Sequence, residues 1–261
     1  MSVKVTDSPT AHALQELRER HHRLYEGPDI DAKLAGIIRD FPASKLDDWD
    51  ILRILRTSQS VFFETHVEVV SGQHTATYLR FESIARIPQL ITVVARDMAD
   101  WIARLHEKRP VMGLVTTDSD ARLLAERVAE LLLPKIRLRP IATPYNHETG
   151  KIGTDLIMGE IRPGERLLVL NDVTTRGQCV SKLGKIVTDH GGVLAGMMVF
   201  ARRDSGQFPL MDEVTGTYPF YYTADLLMPQ WDPSVCPSAC PSRRPPRSGV
   251  SAPPPRASFP V

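Results

Sequence analysis

The stretch RLLVLNDVTTRGQC, residues 166–179, decides how the chain is read. Arg166–Asn171 is a short apolar run of the length of a buried strand. It ends in Asn171-Asp172, and a Thr/Gly turn follows and opens into a helix over Gln178–His190. Backbone N–H groups at such a helix start point outward and carry partial positive charge, which makes the turn a cradle for phosphate. Asn171 and Asp172, placed just before the cradle, are suited to the hydroxyls of a sugar attached to that phosphate. The turn is neither a G-x-x-x-x-G-K-S/T loop nor a G-x-G-x-x-G loop, so generic nucleotide hydrolysis and dinucleotide redox chemistry lose their fingerprints.

Outward from this stretch, helix and strand alternate. Gly191-Gly192 stops the helix and Val193–Ala201 is a second buried strand. Upstream, Pro88–His106 is a helix with Ile91, Val94, Met98, Ile102 and Leu105 on one face. Val111–Thr117 and Ile136–Ala142 are strands separated by a helix at Ala121–Leu133. Such alternation specifies an α/β fold, a parallel sheet with helices on both faces, and places ligands outside the carboxyl ends of the strands. Before it, Trp49–Arg56 is a helix, and Val61–Val70 and Thr75–Phe81 flank Ser71-Gly72 as a β-hairpin.

The ends differ from this body. Ser8-Pro9 reads as a helix start, with Leu14, Leu17, His21 and Leu24 on one face. A second short helix carries Ile30, Leu34, Ile37 and Ile38 and stops at Phe41-Pro42. Ten of the 21 prolines lie from Pro229 onward, and the last 21 residues hold four arginines and no acid. The expected division is an extension at 1–48, an α/β domain at 49–228 and a disordered Pro/Arg-rich tail at 229–261. The net charge of +1 conceals a body of −3 over residues 1–240. That balance argues against a nucleic-acid binder, and an anion site on such a body has to be built by local geometry. No stretch of about 18 apolar residues and no signal-peptide core occurs, so a cytoplasmic location is expected. Three cysteines make no disulfide framework. Cys236 and Cys240 are spaced C-x₃-C but supply only two of the four ligands of a structural zinc. No other His/Cys cluster is visible in the sequence, and His66 and His74 read as structural or exposed hairpin residues.

The strand–Asn171-Asp172–turn–helix pattern resembles the phosphoribosyl-pyrophosphate (PRPP) motif of type I phosphoribosyltransferases, the orotate phosphoribosyltransferases above all. The resemblance runs from about Trp49 to about Leu227. Val70–Tyr78 is similar to the family's hairpin, and Arg166–Arg203 follows its succession of strand, PRPP loop, helix, strand and closing Asp-Arg. It implies a parallel sheet under an amino-terminal helical and hairpin hood, transfer of a 5-phosphoribosyl group from PRPP to a nitrogen of orotate or a related base, Mg²⁺ as cofactor, and a homodimer. Asn171 and Asp172 would hold the ribose hydroxyls, with Asp172 acting indirectly on Mg²⁺. Thr175, Arg176, Gly177, Gln178 and Cys179 would wrap the 5′-phosphate. Thr116, Thr117, Asp118, Ser119 and Asp120 fall where the family binds pyrophosphate. Arg203 and Tyr78 would meet the base, and Ala142–Gly159 is the counterpart of the mobile catalytic loop, with His147 and Lys151 as its basic groups.

The pattern departs from the family at several points. The first acid of the motif is Asn171, Arg176 stands where Thr or Ala is usual, Val70 replaces a hairpin lysine, and the loop lacks its cation cluster. Other readings of the same residues stand beside these. Asp172, or Asp118 and Asp120, would serve as helix caps, Arg203 as a surface charge beside Arg202, and Cys179 as a small helix-start residue whose position lowers a thiol pKa. At the level of the whole chain, the alternative is a non-catalytic subunit that binds PRPP or a nucleotide.

Overall fold

The structure, a computed structural model, describes residues 41, 45–62, 66–69, 72–147, 149–204 and 218–237. The helices expected within 1–40 and the tail from 238 onward lie outside the described residues. After helix α1 (Asp48–Ser58) come four two-residue strands: β1 (Val61–Phe62), β2 (Val67–Glu68), β3 (His74–Thr75) and β4 (Tyr78–Leu79). Helices α2 (Glu82–Ala85) and α3 (Pro88–Lys108) lead to β5 (Gly113–Thr117), α4 (Asp120–Leu132) and β6 (Arg139–Thr143). The short strands β7 (Tyr145–Asn146) and β8 (Lys151–Ile152) precede β9 (Arg166–Thr174), α5 (Gln178–Asp189), β10 (Val193–Asp204) and β11 (Phe220–Leu227).

The sheet is five-stranded in the order β11-β10-β9-β5-β6, with every pair parallel. The apolar run of β9 explains why it sits in the middle. Leu167, Leu168, Val169 and Leu170 are all fully buried, and the two-residue period of a strand divides them between opposite faces. Leu168 and Leu170 join the core under α1, α3 and α4, whereas Leu167 and Val169 join the core under α5 with Val180, Leu183 and Val187. Each such side chain contributes roughly 1.5–3 kcal/mol on burial, and a continuous apolar run is what a strand covered on both sides requires. Close approach of α5 to the sheet needs Gly184, where a Cβ would lie 2.8 Å from Leu194 Cδ2.

The connections set the site. From β5 the chain crosses by α4 to β6 on one side, and from β9 it crosses by α5 to β10 on the other. The strand order therefore reverses between β5 and β9, and the crevice at their carboxyl ends is where a ligand fits in this architecture.

Several boundaries differ from the sequence reading. β9 continues past Asn171 to Thr174 because the long β10 keeps pairing with it through Val173 and Thr174. β5 and β6 both start later than expected, as their ladder opens at Gly113↔Arg139. The hairpin is broken into two ladders, Val61↔Leu79 with Phe62↔Tyr78 and Val67↔Thr75 with Glu68↔His74. Four residues separate the ladders on the first arm and two on the second. β11 was not foreseen. Its anchor is Asp97 of α3, 2 % exposed, which accepts hydrogen bonds from Tyr221 Oη (2.6 Å), Thr223 Oγ1 (2.9 Å) and the Leu46 N–H (2.9 Å).

Residues 229–237, expected to open a disordered tail, are instead held against the hairpin. Trp231 bridges His74 through two backbone hydrogen bonds, 2.8 and 2.9 Å, and Thr75 Oγ1 donates to the Pro229 carbonyl at 2.9 Å. Gln230, between these two contacts, is buried, and a 3₁₀ turn, Pro233–Val235, follows. Among the described residues no helix is long and apolar enough to cross a membrane.

Candidate active site

The end of β9 is tied to the end of β5 by Asn171. This side chain is 5 % exposed; its Oδ1 accepts from Thr117 Oγ1 (3.3 Å) and its Nδ2 donates to the Val173 carbonyl (3.2 Å). Thr117 Oγ1 in turn meets Ser119 Oγ at 2.8 Å, and Ser119 Oγ accepts from the Ala121 N–H to cap α4. A carboxylate at 171 could accept from Thr117 but would face the Val173 carbonyl with no proton to offer. The amide that breaks the family's acidic pattern is thus the group this network demands.

Asp172 points the other way. Its Oδ1 accepts from the Val173 N–H at 2.8 Å, which favours the charged form, but burial and then the negative charge of Asp120 outweigh it. Together they push the carboxyl up to about 6. Asp172 therefore does not cap α5: Gly177 occupies that position, with φ at +73°, and no side chain caps the helix among the described residues. The left-handed backbone at 177 is open to glycine at little cost. Thr174 Oγ1 accepts from the Gly177 N–H at 3.1 Å and braces the turn. The result is a helix start whose first N–H groups, around Thr175–Cys179, have backbone geometry suited to an anion. Cys179 is not activated there. Burial, with Asp172 second, pushes its thiol up to about 11.

The loop after β5 divides its two acids. Asp118 pairs with Arg122 across one turn, Nη1 to Oδ1 2.9 Å. Neither Asp118 nor Asp120 is the cap, since Ser119 fills that place. Asp120 faces the site instead. Burial raises its pKa, Glu82 adds to the rise, and His147 counters it. Thr116 and Thr117 are buried.

Arg202 and Arg203, adjacent in sequence, have opposite environments. Arg202 pairs with Asp225, Nε to Oδ1 3.1 Å, and lies over the Tyr222 ring at 4.7 Å. Arg203 is 5 % exposed, and its Nε and Nη2 have no partner among the described residues. Burial lowers its pKa to about 10, so it stays charged at neutral pH. Tyr78 lies within electrostatic reach of both Arg203 and Asp172, and burial raises its phenol pKa.

The loop Ala142–Gly159 folds back as the β7–β8 hairpin, with Asn146↔Lys151 in register. Lys182 of α5 donates to the Ile152 carbonyl at 2.5 Å, and Ala142 bridges Met158. His147 and Lys151 are both exposed on it. The residue that sequence reasoning passed over is Tyr145, which opens this loop. Burial, then Asp172, Cys179 and Tyr78, push its phenol up to about 12, and its ring meets His147 edge-on at 5.0 Å. Its only sequence signal was an aromatic directly after the β6 strand. Asp172, Asp120, Tyr78, Tyr145 and Arg203 thus gather at the carboxyl ends of neighbouring strands, with the Gly177 turn among them. Farther off, His66, His74 and Cys236 form a separate group.

The chain is 28 % identical over 167 residues to the orotate phosphoribosyltransferase of Pyrococcus abyssi, covering 62 % of this chain and 85 % of that one. It is 24 % identical over 186 residues to the orotate phosphoribosyltransferase of Heliobacterium modesticaldum, covering 71 % and 89 %. Among solved structures, the orotate phosphoribosyltransferase of Mycobacterium tuberculosis H37Rv has a TM-score of 0.50 at 16 % identity, over 76 % of this chain and 97 % of that one. The UMP synthase of Leishmania donovani has a TM-score of 0.50 at 17 % identity, over 82 % of this chain but only 40 % of its own length. No family model matches the chain.

Proposed function

We propose that this type I phosphoribosyltransferase, a relative of the orotate phosphoribosyltransferases, transfers the 5-phosphoribosyl group of PRPP to a ring nitrogen of a planar, anionic base, with orotate as the first acceptor to test. The observation that carries the reading is Arg203. Leaving buried guanidinium donors without partners costs about 1–3 kcal/mol or more, and a carboxylate-bearing acceptor would relieve that cost beside Tyr78. A bidentate Arg–carboxylate contact also orients a planar ring.

The donor half follows from the strand ends. The 5′-phosphate would lie on the N–H groups of Thr175, Arg176, Gly177, Gln178 and Cys179, and Asp172 would accept from a ribose hydroxyl. Asn171 would act as a positioning residue through its hold on Thr117 and Val173. Pyrophosphate would occupy the loop Thr116–Asp120, whose free carboxyl is Asp120. The donor set suits Mg²⁺, since Asp120 and Asp172 are hard oxygen donors whose mutual repulsion a divalent cation offsets. When bound, Mg²⁺ supplies charge neutralisation for the leaving pyrophosphate. The reaction breaks the bond from ribose C1 to the pyrophosphate oxygen and forms one from C1 to the base nitrogen. Its oxocarbenium-like transition state asks the protein chiefly for positioning and fixed charge. His147 and Lys151 are the basic groups the β7–β8 hairpin would bring to the leaving group, and a cytoplasmic homodimer is the proposed assembly.

The test is release of pyrophosphate from PRPP·Mg²⁺ with orotate, uracil and other bases, followed together with PRPP binding. Turnover with a carboxylated base supports the proposal. Tight PRPP binding without turnover on any base would replace it by a binding subunit.

A further inference from the structure

The hairpin and the carboxyl-terminal strap meet at a cluster outside the phosphoribosyl site. His66 Nε2 lies 2.9 Å from His74 Nδ1 and 3.5 Å from Cys236 Sγ, and the three donor atoms are all within 4.8 Å of one another. His74 is 7 % exposed, and the two imidazoles meet edge-on with centroids 4.6 Å apart. The backbone fixes this convergence. Glu68 pairs with His74 across the β2–β3 ladder, which puts His66 diagonal to His74 on the same face. The His74–Trp231 bridge then docks the strap five residues before Cys236.

We infer that His66, His74 and Cys236 form a zinc site that clamps the carboxyl-terminal strap to the hairpin. A neutral imidazole nitrogen carries one proton or one lone pair, so His66 Nε2 cannot make a full in-plane hydrogen bond to both neighbours. A cation at their centre satisfies all three atoms together. With Zn–N about 2.0–2.1 Å and Zn–S about 2.3 Å, a tetrahedral site sets its ligands about 3.3 Å apart for two nitrogens and about 3.6 Å for nitrogen and sulfur. The His66–His74 spacing of 2.9 Å and the His66–Cys236 spacing of 3.5 Å lie a few tenths of an ångström short of these values, and the third pair lies within 4.8 Å. Two imidazoles and a thiolate are the borderline-soft set zinc prefers over magnesium or calcium. Binding displaces the Cys236 proton to solvent. The three side chains leave the fourth position of the tetrahedron to water. The sequence reading rejected zinc because C-x₃-C lacked partners; the hairpin register supplies them from 162 residues or more upstream.

The full chain, purified under reducing conditions without added chelator, should carry about one equivalent of zinc by elemental analysis. Cobalt(II) titrated into the metal-free protein should give the ligand-field bands of a tetrahedral site with thiolate-to-metal charge transfer. Cys236→Ser and His74→Ala should lower cobalt affinity more than about 100-fold, because even outer-shell changes cost about 10–100-fold. A metal-free preparation that develops no cobalt spectrum overturns the site, and so does a preparation carrying copper. Metal content is read whether or not the protein turns over PRPP, so this result and the phosphoribosyltransferase reading fail separately.

Discussion

Replacing Asp172 by Asn should make the ligand-free protein more stable at pH 7.5 while removing its hold on PRPP. The carboxyl rises from an ordinary 3.8 to about 6 on folding, and each unit is worth about 1.4 kcal/mol. Holding Asp172 ionised therefore costs the folded state about 3 kcal/mol at pH 7.5. The sign follows from linkage. A carboxyl raised in the folded state adds nothing unfavourable below pH 3.8, where both states are protonated, and its penalty grows until pH passes 6. Asn keeps an acceptor for the Val173 N–H and removes the charge. Urea unfolding should then show D172N gaining up to about 3 kcal/mol at pH 7.5, about half of that at pH 5, and nothing near pH 3.5. In the same titrations PRPP·Mg²⁺ at 100 times its Kd should stabilise the unaltered protein by about 2.7 kcal/mol and leave D172N unmoved. Loss of stability in D172N at pH 7.5, or a gain that does not change between pH 7.5 and 4, would refute the claim that desolvation and Asp120 load this carboxyl.

Arg203→Met should raise the KM for a carboxylated acceptor roughly 10–150-fold, the worth of a charged hydrogen bond of about 1.5–3 kcal/mol, with PRPP binding by calorimetry unchanged. Asn171→Asp, which restores the family's acid, should destabilise the fold by about 1–3 kcal/mol in urea, because the new carboxylate faces the Val173 carbonyl. Asp97→Ala strands three donors, from Tyr221, Thr223 and Leu46, and should cost roughly 3–5 kcal/mol by thermal or urea unfolding.

The sheet was legible because its strands are apolar runs bounded by helices, a pattern only a doubly covered parallel sheet demands. Leu167–Leu170 and the face Ile91, Val94, Met98, Ile102 state it in sequence terms, and all these residues are buried. β11 was illegible because its pattern is mixed and its anchor, Asp97, lies 124 residues from Tyr221. The start of α5 at Gln178 was legible from the Thr/Gly turn before it, but the division of labour between neighbours was not. Which of Arg202 and Arg203 lies inside depends on Asp225 and Tyr222 across the β10–β11 ladder. Likewise, Asn171 is explained only by Thr117 on another strand. The His66–His74–Cys236 convergence needed both a hairpin register and a strap docked from the far end of the chain.

One site, at the switch between β5 and β9, is the proposed seat of PRPP. A crystal structure with PRPP·Mg²⁺ tests it most directly. The 5′-phosphate should lie on the backbone N–H groups of Thr175–Cys179, a ribose hydroxyl on Asp172, and pyrophosphate over the Thr116–Asp120 loop. Phosphate density elsewhere, or a ribose that leaves Asp172 untouched, would contradict it.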